Sequence, residues 1–254
     1  MLFDTHVHLN DLKYKDDLLE VLDRAEAGGI KKMLVVGYDK ATNIKALELA
    51  EKFDNIYAAV GWHPVDAITL TDELFAELEE QAKHPKVVAI GECGLDYYWD
   101  TSPRDVQEEV FIRQIKLAQR LNKPLVIHTR DSISNTLEVL KASNAKLVGG
   151  VMHCFSGSVD MAHAFIKLNF KISLGGPVTF KNGRRPQEVA TQIPLENLLI
   201  ETDAPYLTPH PYRGTRNEPG YVSLVAKQIS ELKQISYEKV CEQTMQNGLD
   251  LFNI

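Results

Sequence analysis

The sequence predicts a (β/α)8 barrel of the TIM type, formed as one domain over residues 1–254. Three observations lead there. Short, apolar, β-branched runs alternate with amphipathic helical stretches along the whole chain. That alternation implies parallel strands joined by right-handed crossovers, and eight units fit this length. The rival architecture, an open doubly wound sheet, expects a Gly-rich phosphate loop after an early strand. The first run here ends instead in His6-Val7-His8.

The first strand is expected at Leu2–His8, with a helix over Lys15–Ala27 that Gly28-Gly29 ends. Further strands are expected at Met33–Tyr38, Ile56–Gly61, Val87–Glu92, Leu125–His128, Leu147–His153, Phe170–Leu174 and Leu198–Thr202. Several of these are apolar enough to be buried on both faces. Helical patterns cover Ala41–Phe53, Asp72–Lys83, Pro103–Leu121, Ile133–Lys141, Val159–Leu168 and Gln187–Thr191, and Tyr221–Leu232 and Tyr237–Asn247 follow the last strand. Ser102 before Pro103 reads as an N-cap followed by the first helical residue. Asn122-Lys123-Pro124 separates the longest helix from the fifth strand, and Gly248 is expected just past the final helix.

A hydrophobic content of 44% supports a core without staples, and 25% charged residues is ordinary for a globular chain. The net charge of −7 argues against coating nucleic acid with a basic surface. It leaves room for an enzyme that grips one or two phosphates, because bound metal ions supply local positive charge. Cys93, Cys154 and Cys241 form no CxxC pair, so a disulfide framework or thiolate zinc site is not expected. Cys93 and Cys154 each follow a candidate ligand by one residue, and alternation turns them toward apolar packing. The first residues lack a basic and then apolar leader, and no apolar run reaches the roughly 18 residues that span a bilayer. A soluble, cytoplasmic protein is expected.

His6 and His8 close the first strand, and a spacing of two puts both imidazoles on one face. Glu92 closes the fourth strand, His128 the fifth and His153 the sixth; Asp203 follows the eighth and His63 the third. In a barrel these strand ends form one rim, where catalytic residues collect. Buried carboxylates are costly unless paired or metal-bound. Four imidazoles, one Glu and one Asp can hold two divalent ions if one carboxylate bridges, and Glu92, in the middle of the order, is the natural bridge. Ligation by N and O without thiolate suits Mg, Mn, Zn or Fe. Taken singly, each residue has a structural reading as a packed histidine, an ion-pair partner or a turn residue. Their coincidence on one rim is what points to metal.

At these residues the chain resembles the TatD family of metal-dependent deoxyribonucleases, within the amidohydrolase-like barrels. The segments that carry the resemblance are Phe3-Asp-Thr-His-Val-His-Leu9, Val60-Gly-Trp-His-Pro64, Ile90-Gly-Glu-Cys-Gly-Leu-Asp-Tyr97, Val126-Ile-His-Thr-Arg-Asp131, His153-Cys-Phe-Ser-Gly157, Leu199-Ile-Glu-Thr-Asp-Ala-Pro205 and Tyr212-Arg-Gly-Thr-Arg-Asn-Glu-Pro219. The resemblance implies a two-metal site that hydrolyses DNA phosphodiesters, with 3′-to-5′ exonuclease action on single strands, often with Mg²⁺. It implies that His6, His8 and Asp203 serve one ion and His128 and His153 the other, with Glu92 shared and His63 facing the scissile phosphate.

The chemistry expected is metal-assisted hydrolysis, with Asp203 as general base and His63 as a donor to a phosphate oxygen. Arg130, Arg213 and Arg216 are candidate phosphate contacts, since a guanidinium offers bidentate donors. Lys181, Arg184 and Arg185 form a local basic patch. Trp62, Tyr97, Tyr98 and Trp99 adjoin the rim, where stacking on unpaired bases competes with packing against loops as their role; for Trp99 packing is the expectation. His210 is expected in a loop role, and His84 and His163 at the surface. Two other functions fit the ligand pattern. One is an amidohydrolase or lactonase acting on a small cyclic substrate, although many such enzymes place a modified Lys where Glu92 stands. The other is a non-catalytic metal-binding module. A histidinol-phosphate-phosphatase-like enzyme also begins with HxH but needs further ligands.

Overall fold

Strands β1 (Leu2–Val7), β2 (Ile30–Val36), β3 (Ile56–Val60), β4 (Val87–Asp96), β5 (Leu125–Arg130), β6 (Gly150–Met152), β7 (Phe170–Leu174) and β8 (Leu198–Ile200) form one parallel sheet in chain order. The computed structural model describes residues 1–99 and 101–254. Every adjacent pair from β1 to β8 is parallel. The β8–β1 seam is closed by single bonds: Asp203 N–H donates to His6 O at 2.9 Å and His8 N–H to Ala204 O at 2.8 Å. Side chains reinforce it, with Thr5 Oγ1 donating to Ile200 O and Thr202 N–H to Asp4 Oδ1, both at 2.9 Å. The expected barrel is therefore the observed one.

Helices α1 (Leu18–Ala27), α2 (Lys40–Lys52), α3 (Asp72–Ala82), α4 (Arg104–Leu121), α5 (Ile133–Ala142), α6 (Val159–Ile166), α7 (Arg184–Gln192), α8 (Val222–Lys233) and α9 (Tyr237–Phe252) lie where apolar periodicity placed helices. Their starts follow local chemistry. Asp39 and Thr42 form a reciprocal capping box on α2, and Ser158 and Ser236 cap α6 and α9.

Two expected boundaries are corrected. Pro103 itself is the N-cap of α4, in extended conformation, so it is not the first helical residue. The Ser102 hydroxyl is engaged elsewhere, donating to Val65 O at 2.8 Å and accepting from Ile68 N–H at 3.1 Å. Gly248 lies inside α9 and does not end it. A Cβ there would sit 2.6 Å from Phe3 Cδ1, so its missing side chain lets the helix lie against β1.

Alternating residues face opposite ways along each strand. One set packs under the helices, as Val7, Met33, Ile56, Ile90 and Ile127 do. A second cluster, with Phe3, Leu34, Ala59, Val126, Val151 and Leu199, fills the barrel and includes Phe252 of α9. The Phe3 and Phe252 rings meet edge-on at 5.9 Å. The C-terminal helix thus covers the end of the barrel where β1 begins, opposite the rim that carries the histidines. Among the described residues, no helix is long and apolar enough to cross a membrane.

β4 runs past Glu92 to Asp96, four residues beyond its expected end, because β5 extends beside it to pair Gly94 with His128 and Asp96 with Arg130. A Cβ on Gly94 would lie 2.0 Å from His128 O, so only glycine permits that approach. This raised β4–β5 edge forms one wall of the mouth.

Phe252→Ala is expected to cost about 3–5 kcal/mol, as the loss of a buried aromatic does. Urea unfolding followed by circular dichroism measures it.

Candidate metal centre at the barrel mouth

The strand ends bring all six candidate ligands together, along with His63. Glu92 is nearly buried, and its two oxygens face two different groups. Oε2 lies 3.5 Å from His6 Nε2 and 3.7 Å from His8 Nε2. Asp203 Oδ1 completes that group at 3.3 Å from His8 Nε2 and 3.8 Å from His6 Nε2. Oε1 lies 3.0 Å from His128 Nδ1 and 3.1 Å from His153 Nε2. His63 Nε2 stands further off, 3.7 Å from Oε1.

The hydrogen bonds on the far side of each ring decide what it offers the centre. His8 Nδ1 lies 2.9 Å from Val36 O, a carbonyl that can only accept, so Nδ1 carries the proton and Nε2 presents a lone pair. His128 Nε2 is 2.9 Å from Asp96 Oδ2, which leaves Nδ1 to face Glu92. His153 Nδ1 is 3.2 Å from Glu201 Oε1, which leaves Nε2 to face Glu92. His63 has the opposite arrangement. Val65 N–H donates to its Nδ1 at 3.2 Å, so the neutral ring carries its hydrogen on Nε2, toward the cavity. One donor atom each of His63, Glu92 and His128 falls within 4.8 Å of the others. That tautomer directs a hydrogen rather than a lone pair toward Glu92.

This donor set suits divalent cations. With His8 Nε2 holding a lone pair only 3.2 Å from His6 Nε2, the two nitrogens are oriented to share a positive charge. Donors about 2.0–2.2 Å from one ion sit about 3.0–3.6 Å from each other, and the spacings here fall in or near that range. His6 and His153 stack with centroids 4.0 Å apart.

The electrostatics agree. Burial raises the Glu92 pKa, but His153, His128 and His6 outweigh burial and hold it well below the usual carboxylate range. Burial likewise opposes ionisation of Asp203, and His8, His153 and His6 reverse that. Burial works against charge on His153, yet Glu92 and Glu201 raise it well above an ordinary imidazole. His128 and His8 are also raised against burial, by Asp96 and Glu92 and by Asp203 respectively. His63 is depressed to about 3, first by burial and then by His128.

The centre opens into a cavity of about 810 Å³. Asp203 borders it with a backbone φ of 55°, in the left-handed region. The turn is held by Asn217, whose amide donates to Thr202 O at 2.8 Å and to Tyr206 O at 2.6 Å, straddling Asp203. Asn217, Asp96 and Glu201 each lie inside a segment that carries the family resemblance, but nothing in those segments says which carboxylate will reach behind which imidazole or which amide will hold the turn at Asp203.

Of the candidate substrate residues, Arg130 lines the cavity. Arg216 is corrected: it forks onto both oxygens of Asp17, at 2.7 and 2.5 Å, and also meets Glu218, tying the loop after β8 to the chain leading into α1. Arg213 is corrected too, for its guanidinium lies over the Phe180 ring at 3.9 Å and away from the cavity lining. In the basic patch, Arg184 pairs with Glu188 at 2.8 Å. Trp62 is buried with its N–H on Asp66 O, and Tyr97 lies under Arg104, so both are packing residues. Trp99 instead lines the cavity. Cys93 is core, but Cys154 borders the cavity, because a φ of 42° just past β6 breaks the alternation that would have turned it away. His84 meets Glu51 at 3.1 Å, and His163 and His210 are exposed.

A closed parallel barrel with clustered His, Glu and Asp at its carboxyl-terminal rim is the arrangement of a metal-dependent hydrolase. More narrowly, the chain belongs to the TatD-related DNase family, whose model matches residues 3–253. It is 54% identical to the metal-dependent hydrolase YabD of Bacillus subtilis over 254 residues, covering 100% of both chains. It is 37% identical to the metal-dependent hydrolase YcfH of Escherichia coli, covering 100% of this chain and 96% of the other. The crystal structure of the TatD homologue YjjV of Escherichia coli superposes with a TM-score of 0.94 at 31% identity, covering 100% of this chain and 98% of that one.

Glu201→Gln is expected to weaken metal binding about 10- to 100-fold by loosening His153, as read by titration calorimetry with Mn²⁺. Because His8, His128 and His153 are raised, protons compete with the ion; its affinity should fall as pH is lowered, with protons released on binding. Calorimetry in buffers of different ionisation enthalpy counts those protons. Arg216→Gln is expected to lower the thermal unfolding midpoint without changing KM for substrate, which distinguishes a clamp from a substrate contact.

Proposed function

We propose that this hydrolase cleaves DNA phosphodiesters, removing nucleotides from single strands in the 3′-to-5′ direction, with two divalent ions (Mg²⁺, Mn²⁺ or Zn²⁺) held at the barrel mouth. The observation that carries the reading is the division of Glu92: one carboxylate oxygen faces His6, His8 and Asp203, and the other faces His128 and His153. Ions bound there would supply Lewis acidity, easing loss of a proton from water and offsetting charge on phosphate.

The chain's own groups supply the rest. Asp203 borders the cavity and stays ionised, so its carboxylate can take the proton of the attacking water. The water oxygen bonds to phosphorus as the bond to the leaving 3′-oxygen breaks; that oxygen takes a proton from solvent, and Asp203 returns to solvent the one it accepted. His63 is neutral near pH 7 and points its Nε2–H into the cavity, where it donates to a non-bridging phosphate oxygen. Arg130 adds a cation at the wall. The family assignment supports a nucleic-acid substrate for this centre.

Asp203→Asn should keep the fold and lower turnover by at least about 10²-fold, the scale of general-base catalysis. His63→Ala should raise KM and lower kcat while metal content, read by elemental analysis, stays at the wild-type level. Both are measured on end-labelled single-stranded DNA with Mg²⁺, Mn²⁺ or Zn²⁺ and with chelator, which should abolish cleavage. Hydrolysis of dihydroorotate or a lactone in place of DNA would overturn the proposal.

A further inference from the structure

Beside the centre, on the raised β4–β5 edge, two aromatic rings remain about half exposed: Tyr98 at 53% and Trp99 at 51%. They meet edge-on with centroids 5.0 Å apart. The Arg130 guanidinium lies 3.7 Å from the Tyr98 ring centroid and 5.8 Å from that of Trp99. Both Trp99 and Arg130 line the cavity that contains the ligands. Side chains this large leave half their surface unused by packing, and an arginine over an aromatic face next to a second ring is how unpaired bases and their phosphates are held.

What sets these residues apart from an ordinary surface group is their connection to the centre. Asp96 Oδ1 accepts the backbone N–H groups of Tyr98 and Trp99, at 2.9 and 3.0 Å. Its other oxygen, Oδ2, is the partner of His128 Nε2. One buried carboxylate therefore fixes a ring facing the bridging Glu92 and, at the same time, the backbone that carries both aromatics. Arg130 follows His128 by two residues on β5, so the two side chains leave the same face about 7 Å apart along the strand. That separation is comparable to one nucleotide step of an extended single strand. The cavity, about 810 Å³, is of the size that encloses one small ligand, which suits a nucleotide or two rather than a duplex.

We propose that Tyr98, Trp99 and Arg130 form a nucleotide subsite that stacks the unpaired base next to the scissile phosphodiester and holds its phosphate, with Asp96 as the positioning residue that keeps this subsite in register with the centre. The inference rests on the nuclease reading and deepens it. Selection for single strands follows, since a base held in a duplex cannot present its face to Trp99.

The chain has two tryptophans, and Trp62 is buried, so Trp99 reports on stacking. The test titrates metal-loaded protein with a short oligothymidylate whose phosphorothioate linkages resist cleavage, while cleavage of ordinary labelled single strands is followed separately. The expected result is saturable quenching of tryptophan emission that is absent in Trp99→Leu and weak for a blunt duplex. Trp99→Leu and Arg130→Gln should each raise KM for single strands by about ten-fold, in line with loss of one stacked base or one phosphate contact. An abasic residue beside the scissile bond should raise KM for the wild type and cancel most of the Trp99→Leu effect. Asp96→Asn should weaken both Mn²⁺ binding and quenching, whereas Glu201→Gln should weaken Mn²⁺ binding alone once metal is saturating. Cleavage of single strands without Trp99 quenching overturns the subsite and leaves the nuclease standing. Quenching without cleavage of any nucleic acid supports the subsite and overturns the nuclease; absence of both overturns the two together.

Discussion

The molecule is organised around one buried carboxylate. Glu92 sits among five imidazoles in the throat of the barrel, where an isolated negative charge would cost several kcal/mol. It is tolerable only because each oxygen meets a different set of positively polarised or cation-binding groups. That condition constrains much else. β1 must deliver His6 and His8 to one side, β5 and the end of β6 must deliver His128 and His153 to the other, and the chain leaving β8 must bring Asp203 across to the first side. A barrel meets these demands because every strand ends on the same rim.

Rings placed that closely must also be oriented, and the orientation comes from a layer of acceptors behind them. Val36 O, Asp96 and Glu201 each take the hydrogen of one ring nitrogen and turn the other nitrogen toward the centre. His63 is turned the other way by a backbone N–H on its Nδ1, which directs its Nε2–H toward Glu92. The same chain position, a histidine just past a strand, thus yields a ligand geometry or a donor geometry according to a single neighbouring backbone group. Asn217 does comparable work on Asp203 by fixing the carbonyls on both sides of a left-handed turn.

The charge distribution follows the same division of labour. The chain is acidic overall, and two of the arginines that could have faced phosphate are used to hold loops, Arg216 on Asp17 and Glu218 and Arg213 over Phe180. Arg130 is left beside the centre, backed by aromatic rings rather than by a basic surface. On the proposed nuclease reading, attraction for phosphate would come from bound cations and one guanidinium, without the indiscriminate affinity of a basic face.

Much of this was legible in the sequence. Strand–helix alternation fixes the barrel because hydrophobic periodicity is a local property, and the six candidate ligands are visible because their residue types stand at run ends where packing alone would not place them. That Glu92 would stand between the two groups could be reasoned from strand order. What the chain could not disclose was contact between side chains distant in sequence. The pairing of Asp96 with His128 and Glu201 with His153, the diversion of Arg216 into a clamp across 199 positions, and the tautomer of His63 each depend on ångström-scale placement. The extension of β4 to Asp96, Gly248 within α9 and the turn at Cys154 are likewise decided by neighbours in space. Local sequence sets which residues arrive at the mouth; only the closed barrel decides which atoms of those residues face one another, because hydrogen-bond direction is settled by partners that the chain brings from elsewhere.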